Sequence, residues 1–350
     1  MGKIRVGLIG LGFMGLTHYD RYCKMENAEI VAIADVSPAK RAGDVSAIRG
    51  NVDTGANASR LDFSHVKVYE NALDLIANPD VDLVDVCTPT PWHAEYVIAA
   101  LKAGKHVMAE KPLARTLAQA EAIGEALKGA KGQFNVGMVV RVFPEYQYLY
   151  QQHKAGAYGK LRSAVLRRIS HTLNDPKGAH WNNWFMNADY SGGALLDLHL
   201  HDTDFLCYLL GRPKAVSSTG LNITSDHGTD HVITRYHYDD GTLAMAEGNW
   251  ACADGVKFHR SFELIYEKAT VRLMPDAPLT VYWNDGRVEK PALSGVDGYA
   301  FELQYFVDCI QKGVKADKYQ TFEDVLGSFK VVMAEQQSVD AGGLRVEIAR

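Results

Sequence analysis

The chain has 350 residues, of which 47% are hydrophobic and 23% charged, and its formal net charge is −5 at pH 7. This length suits two domains, and the slightly acidic composition without a Lys/Arg block argues against a nucleic-acid-binding surface. The sequence has no run of about 18 apolar residues that would predict a membrane span. Its five cysteines are scattered, and the first predicted strand begins at residue 4, which leaves no room for a signal peptide, so we expect reduced thiols and a cytoplasmic protein.

Residues 4–35 have the pattern of a dinucleotide-binding segment. A buried strand is predicted at 4–9 and a helix at 13–25, and a second strand at 29–34 ends at Asp35. A G-x-G-x-x-G turn joins the first strand to the helix, and the acid about twenty residues further on completes the fingerprint. A glycine-rich turn without a ligand is the alternative, but the complete fingerprint favours a dinucleotide.

The glycines of this turn have separate physical tasks. Gly10 permits the tight turn, Gly12 lets the backbone approach a pyrophosphate, and Gly15 allows close packing of helix and strand. The phosphates are expected at the start of the helix, near Phe13 and Met14, where unpaired N–H groups and the helix dipole favour anions.

Asp35 bears on which dinucleotide is bound. A carboxylate at the end of the second strand hydrogen-bonds a ribose 2′-OH and repels a 2′-phosphate, which favours NAD over NADP. Lys40 and Arg41 lie close in sequence and could soften that preference. We therefore expect NAD as the cofactor, with NADP possible.

Strands and helices continue to alternate as far as residue 141. Helices are predicted at 38–48, 71–77, 93–102 and 116–128, and strands at 66–69, 83–87, 106–109 and 133–139. This alternation implies a doubly wound, mostly parallel Rossmann sheet over residues 1–141. Ligands of such sheets lie beyond the carboxyl ends of the strands, where the sequence places Asp35, Thr88, Lys111 and Arg141.

The pattern changes in residues 142–350, which are predicted to form an α+β domain with a large, mostly antiparallel open sheet. Strands are predicted at 161–170, 214–223, 231–238, 242–250, 260–266 and 279–283. Helices are predicted at 144–154, 194–210, 299–312 and 322–341. An antiparallel sheet covered by helices on one face leaves the other face exposed, and such an apolar face tends to find a partner.

Three side chains are candidates for chemistry. Asp197 and His201 are four residues apart in a stretch with helical periodicity, so they share a face and could form an acid–base pair. Lys111 stands at a strand end, and the proline that follows restricts its backbone. A surface ion pair and a solvated lysine are the alternatives when each pattern is taken alone.

The segment 197–204 also contains ligand types suited to a metal, with His199 close to His201. On a helix, positions i and i+2 point about 200° apart, so these two histidines cannot share one ion. We therefore predict no metal site.

Four motifs follow one another along nearly the whole chain. They are Gly-Leu-Ile-Gly-Leu-Gly-Phe-Met-Gly (7–15), Cys-Thr-Pro-Thr-Pro-Trp-His (87–93), Ala-Gly-Lys-His-Val-Met-Ala-Glu-Lys-Pro (103–112), and Gly-Gly-Ala-Leu-Leu-Asp (192–197) continuing to His201 and Asp204. Together they resemble the Gfo/Idh/MocA family of NAD(P)-dependent sugar and cyclitol dehydrogenases. The Glu-Lys-Pro tripeptide with the downstream Asp-x-x-x-His makes the resemblance specific.

The resemblance implies roles for the three candidate side chains. Lys111 would lie beside the nicotinamide and the substrate hydroxyls, and it would stabilise negative charge on the reacting oxygen. His201 would take the proton as general base, and Asp197 would bind a neighbouring hydroxyl or orient His201. The hydride would pass to C4 of the nicotinamide, which carries the difficult chemistry.

The resemblance also implies two sets of binding residues. The cofactor set is Gly10, Gly12, Phe13, Met14, Gly15, Asp35, Thr88, Pro89, His93, Glu110 and Lys111. The substrate set is Lys111, Arg141, Trp184, Asp197 and His201. A Trp ring suits the apolar face of a sugar, although a core tryptophan is an equal alternative.

Two departures from relatives are visible. Residues 43–65 form a longer polar stretch, which could reach the adenosine end of the cofactor or a partner subunit, and His199 stands where relatives often have glycine. Relatives associate through the exposed sheet face, so we expect a homodimer or homotetramer.

The expected reaction is oxidation of a secondary hydroxyl of a sugar, sugar derivative or inositol. One alternative is a glycoside hydrolase or lyase that oxidises its substrate transiently and recycles its NAD. The other is a non-catalytic, cofactor-sensing regulator on the same fold, against which the joint presence of the lysine, aspartate and histidine argues.

Overall fold

The computed structural model describes residues 2–48, 50, 55–56, 58–171, 185–224 and 228–348. The chain divides into two compact units, Met1–Val139 with Asp297–Leu326, and Val140–Val296 with Gly327–Arg350. The boundary predicted between residues 141 and 142 lies close to the first of these divisions. The sequence did not predict that residues 297–326 join the first unit.

The first unit contains a six-stranded parallel sheet in the order β3-β2-β1-β4-β5-β6. Its strands are β1 Ile4–Ile9, β2 Ala28–Ala34, β3 Lys67–Tyr69, β4 Leu83–Val86, β5 His106–Ala109 and β6 Phe134–Val136. Its helices are α1 Phe13–Cys23, α2 Pro38–Arg41, α3 Ala72–Ile76, α4 His93–Lys102, α5 Leu117–Leu127 and α9 Gly298–Lys312. The predicted doubly wound, parallel architecture is confirmed.

Local sequence explains most of these elements. All four residues of β4 are buried, as expected for a central strand of a parallel sheet covered on both faces. Helix α5 begins with a capping box, in which the Thr116 hydroxyl accepts from the Gln119 N–H and the Gln119 side chain accepts from the Thr116 N–H.

The helix predicted at 38–48 is wrong beyond Arg41. The chain turns at Gly43, which has a φ of +84°, and a β-carbon there would collide with the Leu61 carbonyl. Val45 and Ile48 are then buried against Leu16 of α1. In the described residues, the polar stretch therefore folds back on the helix that follows the glycine-rich turn.

Helix α9 lies in the first unit because its apolar face packs there. Leu303, Phe306 and Val307 share one buried cluster with Val6 and Tyr22. The Arg21 guanidinium adds an ion pair to Asp297, the N-cap of the helix, at 2.6 Å. The sequence predicted the helix correctly, but its periodicity does not show which surface receives the apolar face.

The second unit contains a nine-stranded sheet in the order β14-β13-β12-β11-β7-β10-β9-β8-β15. Its strands are β7 Leu161–His171, β8 Ala215–Leu221, β9 His231–His237, β10 Leu243–Cys252, β11 His259–Tyr266, β12 Ala269–Leu273, β13 Thr280–Trp283, β14 Val288–Glu289 and β15 Val346–Glu347. The helices are α6 Pro144–Lys154, α7 Ala188–Ser191, α8 Leu200–Leu210 and α10 Phe322–Asp340, the last of which begins in the first unit.

Among the described strands of this sheet, β7 and β10 alone pair in parallel, so the predicted, mostly antiparallel sheet is confirmed. Strands β12, β14 and β15 were not predicted. Two of them have two residues each, which is too short for an alternating pattern to be recognised. Over the residues that the structure describes, no helix is both long and apolar enough to cross a membrane.

Candidate active site

The glycine-rich turn has the geometry that a dinucleotide requires. Gly10 has a φ of +90°, and a β-carbon on it would lie 2.6 Å from the Cys87 carbonyl. A β-carbon on Gly15 would collide with the Gly10 carbonyl, whereas one on Gly12 would meet nothing within 4 Å. Among the described residues, Gly12 therefore faces open space at the start of α1, and no side chain of that part of the chain caps the helix.

Asp35, at the end of β2, is tied to this turn. Its Oδ2 accepts from the Leu11 N–H at 2.8 Å, and its Oδ1 accepts from the Ser37 N–H at 2.8 Å. The Lys40 ammonium lies 3.5 Å from Oδ2, while Arg41 donates to the carbonyls of Asp35 and Val36 and to Glu70. The carboxylate is thus fixed beside the turn, with a cation next to it.

The ends of β4 and β5 are joined by His93. Its Nε2 lies 2.7 Å from the Thr88 carbonyl and its Nδ1 lies 2.8 Å from the Pro112 carbonyl. Burial lowers the pKa of His93, although both carbonyl contacts oppose the shift. The imidazole thereby holds the segment of Lys111 against that of Thr88.

Two predicted cofactor residues, His93 and Glu110, are therefore buried and bonded to other parts of the first unit. A direct contact of either with the cofactor stays a prediction. The Thr88 hydroxyl differs, because it is buried without a hydrogen-bond partner among the described residues. An unsatisfied donor beside an open glycine turn fits a polar ligand such as the nicotinamide nucleotide.

A buried polar cluster behind the turn was not predicted from the sequence. His18 of α1 lies between Asp85 of β4 and Glu110 after β5, with Nδ1 2.8 Å from Asp85 and Nε2 3.1 Å from Glu110. Cys87 and Glu302 lie beside these groups. One signal was available, since Asp85 is a charged residue in an otherwise apolar strand buried on both faces.

In the second unit, Asp197 and His201 lie on consecutive turns. Asp197 is buried in a π-helical turn, Leu195–His199, and His201 is a partly buried residue in the first turn of α8. Single π-helical turns inside longer helices occur often at functional sites. The predicted helix at 194–210 is therefore confirmed in outline, with irregular geometry at the candidate aspartate.

Buried ion pairs hold α8 in place. The Arg141 guanidinium donates to both carboxylate oxygens of Asp204, at 2.8 and 2.6 Å, and the Arg168 guanidinium donates to both oxygens of Asp202, at 3.1 and 3.0 Å. Bidentate pairs of this kind impose direction as well as charge neutrality. They orient the helix that carries His201.

Arg141 was predicted to bind substrate from a strand end. It lies instead in the 3-10 turn Val139–Val142 and is only 1% exposed, with its guanidinium on Asp204 and over the Tyr208 ring. These contacts favour a structural role, and substrate binding by Arg141 stays a prediction. Trp184 was also predicted to bind substrate, and it lies outside the described residues.

His199 lies in the interior of the second unit. Its Nε2 is 3.2 Å from the Thr234 hydroxyl and 3.6 Å from Glu335, and burial lowers the pKa of His199 to about 3. With Asp202 and Asp204 bound to arginines, the contacts of this segment are those of a structural network. They give no support to a metal shared by His199 and His201.

The comparisons with known proteins agree with this architecture. Residues 4–138 match the family described as "Oxidoreductase family, NAD-binding Rossmann fold", and residues 146–272 match the "GFO/IDH/MocA C-terminal domain". A scyllo-inositol dehydrogenase from Lactobacillus casei, solved with bound cofactor NAD(H) and scyllo-inositol, is similar in fold. Its TM-score is 0.78 at 24% identity, over 99% of this chain and 100% of that one.

Two relatives are more similar in sequence over part of the chain. Levoglucosan dehydrogenase of Pseudarthrobacter phenanthrenivorans is 34% identical over 62% of this chain and 54% of its own length. Myo-inositol 2-dehydrogenase of Thermotoga maritima is 32% identical over 59% of this chain and 55% of its own length. The chain thus spans about half the length of these two relatives. Because the two domain matches together cover most of the sequence in the expected order, the chain belongs to the GFO/IDH/MocA oxidoreductase family.

Proposed function

We propose that the protein is an NAD-dependent dehydrogenase that oxidises a secondary hydroxyl of a sugar, sugar derivative or inositol. The observation that carries the proposal is that one unit has an open glycine-rich turn with Lys111 at the end of β5, and that the other unit has an Asp-x-x-x-His on a fixed helix. The similarity to levoglucosan and inositol dehydrogenases supports the substrate class.

In the proposed reaction, His201 accepts the proton of the reacting hydroxyl as general base. Lys111 donates a hydrogen bond to the same oxygen and stabilises the negative charge that develops there. Asp197 binds a neighbouring hydroxyl or orients the His201 ring. NAD, when bound, accepts the hydride. The Nδ1 atom of His201 is inaccessible to solvent, which favours Nε2 as the nitrogen that meets the substrate.

A substrate screen tests the proposal. The purified protein is incubated with NAD and a panel of monosaccharides, anhydrosugars, aldonates and inositols, and NADH formation is followed by absorbance. We expect NADH in amounts equal to the substrate oxidised. Product release from glycosides without NADH accumulation would favour the NAD-recycling hydrolase or lyase instead. NAD binding without turnover of any compound would favour a cofactor-sensing regulator.

The proposed preference for NAD depends on Asp35. Replacing Asp35 with alanine removes a charged acceptor for the ribose hydroxyl, a loss of about 1.5–3 kcal/mol, so NAD should bind about ten- to a hundredfold more weakly. NADP affinity should rise or stay constant, because the repulsion of its 2′-phosphate is removed while Lys40 remains. Calorimetric titration with both nucleotides measures the change.

Asp74→Ala, on the exposed surface of α3, is the matched control and should leave both nucleotide affinities unchanged. Tighter binding of NADP than of NAD by the wild-type protein would show that the proposed role of Asp35 is wrong.

We also propose that the protein is a homodimer or homotetramer. One side of the nine-stranded sheet exposes apolar side chains on the adjacent strands β9 and β10 and on β11, which lies one strand beyond β10, namely Ile233, Leu243, Met245 and Ile265. Exposed apolar patches on a large sheet mark association surfaces. The five cysteines are free thiols, which supports the proposed cytoplasmic location.

Light scattering at about micromolar concentration tests the association. We expect the wild-type mass to be two or four times that of the chain, and Ile233→Asp, which buries a charge in the proposed interface, to shift it towards the monomer. Leu73→Asp, at a similarly exposed apolar position on α3, should leave the assembly intact. A monomeric wild-type protein would contradict the proposal.

A further inference from the structure

The buried cluster around His18 joins four elements of the first unit. His18 comes from α1, Asp85 from β4, Glu110 from the end of β5 and Glu302 from α9. The side chains of His18 and Asp85 have no solvent exposure, and that of Glu110 has 8%. The ligand-type atoms of His18, Glu110 and Glu302 all lie within 4.8 Å of one another. Several carboxyl groups buried this close together require a positive charge that neutralises those which are ionised.

The protonation of His18 follows from its two contacts. A ring that donates its Nδ1 proton to Asp85 at 2.8 Å and carries no second proton would direct the Nε2 lone pair at Glu110 Oε1, only 3.1 Å away. Two lone pairs at that distance repel, whereas an N–H at Nε2 turns the contact into an attraction. The contact therefore requires a proton, or a metal ion, between Nε2 and Glu110.

The electrostatic surroundings agree. Burial by itself lowers the pKa of His18, but the charge and the hydrogen bond of Asp85 oppose this effect, and the net pKa lies well above the usual value. Burial raises the pKa of Glu110, yet the hydrogen bond and charge of His18 outweigh it and bring the pKa below its usual range.

Glu302 is the acidic member of the cluster whose neutral form is favoured. Burial and the charge of Glu110 raise the pKa of its carboxyl group well above the usual value. Burial and Asp85 also raise the pKa of the Cys87 thiol. These directions favour a protonated His18 ring beside an ionised Glu110, with Glu302 and the Cys87 thiol in their uncharged forms.

This charge arrangement reaches the candidate active-site lysine. Glu110 contacts His18 through Oε1, and its Oε2 accepts the backbone N–H of Lys111 at 3.1 Å. On the other side, His93 holds the Pro112 carbonyl. The backbone of Lys111 is therefore fixed from both sides, and one of the two supports is a carboxylate whose ionisation depends on His18.

We propose that His18 is a positioning residue, whose doubly protonated ring keeps Glu110 ionised and thereby fixes the backbone from which the Lys111 side chain extends. This role rests on the proposed function, in which Lys111 contacts the reacting oxygen. A bound divalent metal ion is the competing way to place positive charge between His18 and Glu110. The 3.1 Å separation of Nε2 and Oε1 fits a shared proton and a shared metal ion alike, so the protonation of the ring and the metal content of the purified protein decide between them.

The protonation state is tested without turnover. In protein labelled with nitrogen-15 in its histidines, the ring signals of His18 are assigned by comparison with His18→Gln and followed from about pH 6 to about pH 9. We expect the shifts of an imidazolium, with both nitrogens protonated, throughout the range. A neutral ring, or a stoichiometric metal in the purified protein by elemental analysis, would overturn the proposal. This measurement remains valid even if no substrate is found.

The positioning role is tested by kinetics on His18→Gln. The amide can still donate a hydrogen bond but carries no charge, so Glu110, facing Asp85 and Glu302, takes up a proton more readily and no longer accepts well from Lys111. We expect kcat to fall by about ten- to a hundredfold near neutral pH, with little change in NAD affinity. Activity should recover as the pH rises, because Glu110 ionises again.

His106→Gln is the matched control, since His106 lies at the opposite end of β5 and is a partly buried histidine of the same unit. It should show neither the loss of kcat nor an added ionisation. A His18→Gln enzyme with the kcat and pH profile of the wild type would overturn the proposal. A wild-type protein without dehydrogenase activity would contradict the proposed function instead and leave the ring-protonation result standing.

Discussion

We expect His201→Ala to lower kcat by about two to four orders of magnitude, the usual contribution of a positioned general base. The proposed base lies in the first turn of α8, a helix held by two buried Arg–Asp pairs, so its removal should leave the surrounding structure intact. NAD affinity, measured by calorimetry, should barely change, because the proposed cofactor residues lie in the first unit. Steady-state kinetics with the best compound of the substrate screen measures the loss.

His199→Ala is the informative comparison, two residues away on the same stretch. His199 is fully buried beside Thr234 and Glu335, so its loss should lower the free energy of unfolding. The kcat of the folded enzyme should stay within about tenfold of the wild type, since no substrate role is proposed for this ring. An enzyme that is inactivated by His199→Ala and works normally with His201→Ala would show that the assigned roles are wrong.

The second large effect is expected on stability. Asp204→Ala leaves the Arg141 guanidinium buried without its carboxylate, and breaking a buried pair in this way costs about 3–5 kcal/mol. The mechanism is the retained, desolvated charge rather than the lost attraction alone. Urea unfolding followed by circular dichroism should therefore give a clearly lower free energy of unfolding at unchanged pH.

Two comparisons sharpen this result. Asp285→Ala removes one partner of the exposed Arg287–Asp285 pair and should cost no more than about 1 kcal/mol. Arg141→Met combined with Asp204→Leu removes both charges and should restore most of the stability lost in Asp204→Ala. Equal costs for Asp204→Ala and Asp285→Ala would contradict the assignment of a buried, tightly coupled pair.

Much of the fold follows from local sequence. The dinucleotide-binding segment was predictable because its glycines meet local steric requirements. Gly10 has a positive φ, and the Gly10 carbonyl leaves no room for a side chain at Gly15. The parallel sheet was predictable because strands and helices alternate in the first part of the chain. The antiparallel sheet was predictable because, in the second part, strands follow one another mostly without intervening helices. The family motifs singled out Lys111, Asp197 and His201, whose joint role stays a prediction.

Other features depend on which surfaces meet in three dimensions. Periodicity shows that α9 has an apolar face, but only the tertiary structure shows that this face packs in the first unit. Arg141 looks like a strand-end binding residue until its buried pairing with Asp204, 63 residues later, is known.

The charge state of His18 is the clearest case. The sequence by itself determined only that an imidazole occurs on the first helix. Asp85, Glu110 and Glu302 come from distant segments of the chain, so the sequence does not show that they surround it. Their approach within one buried cluster decides the pKa of the ring, since electrostatic interactions depend on distance and burial rather than on separation along the chain.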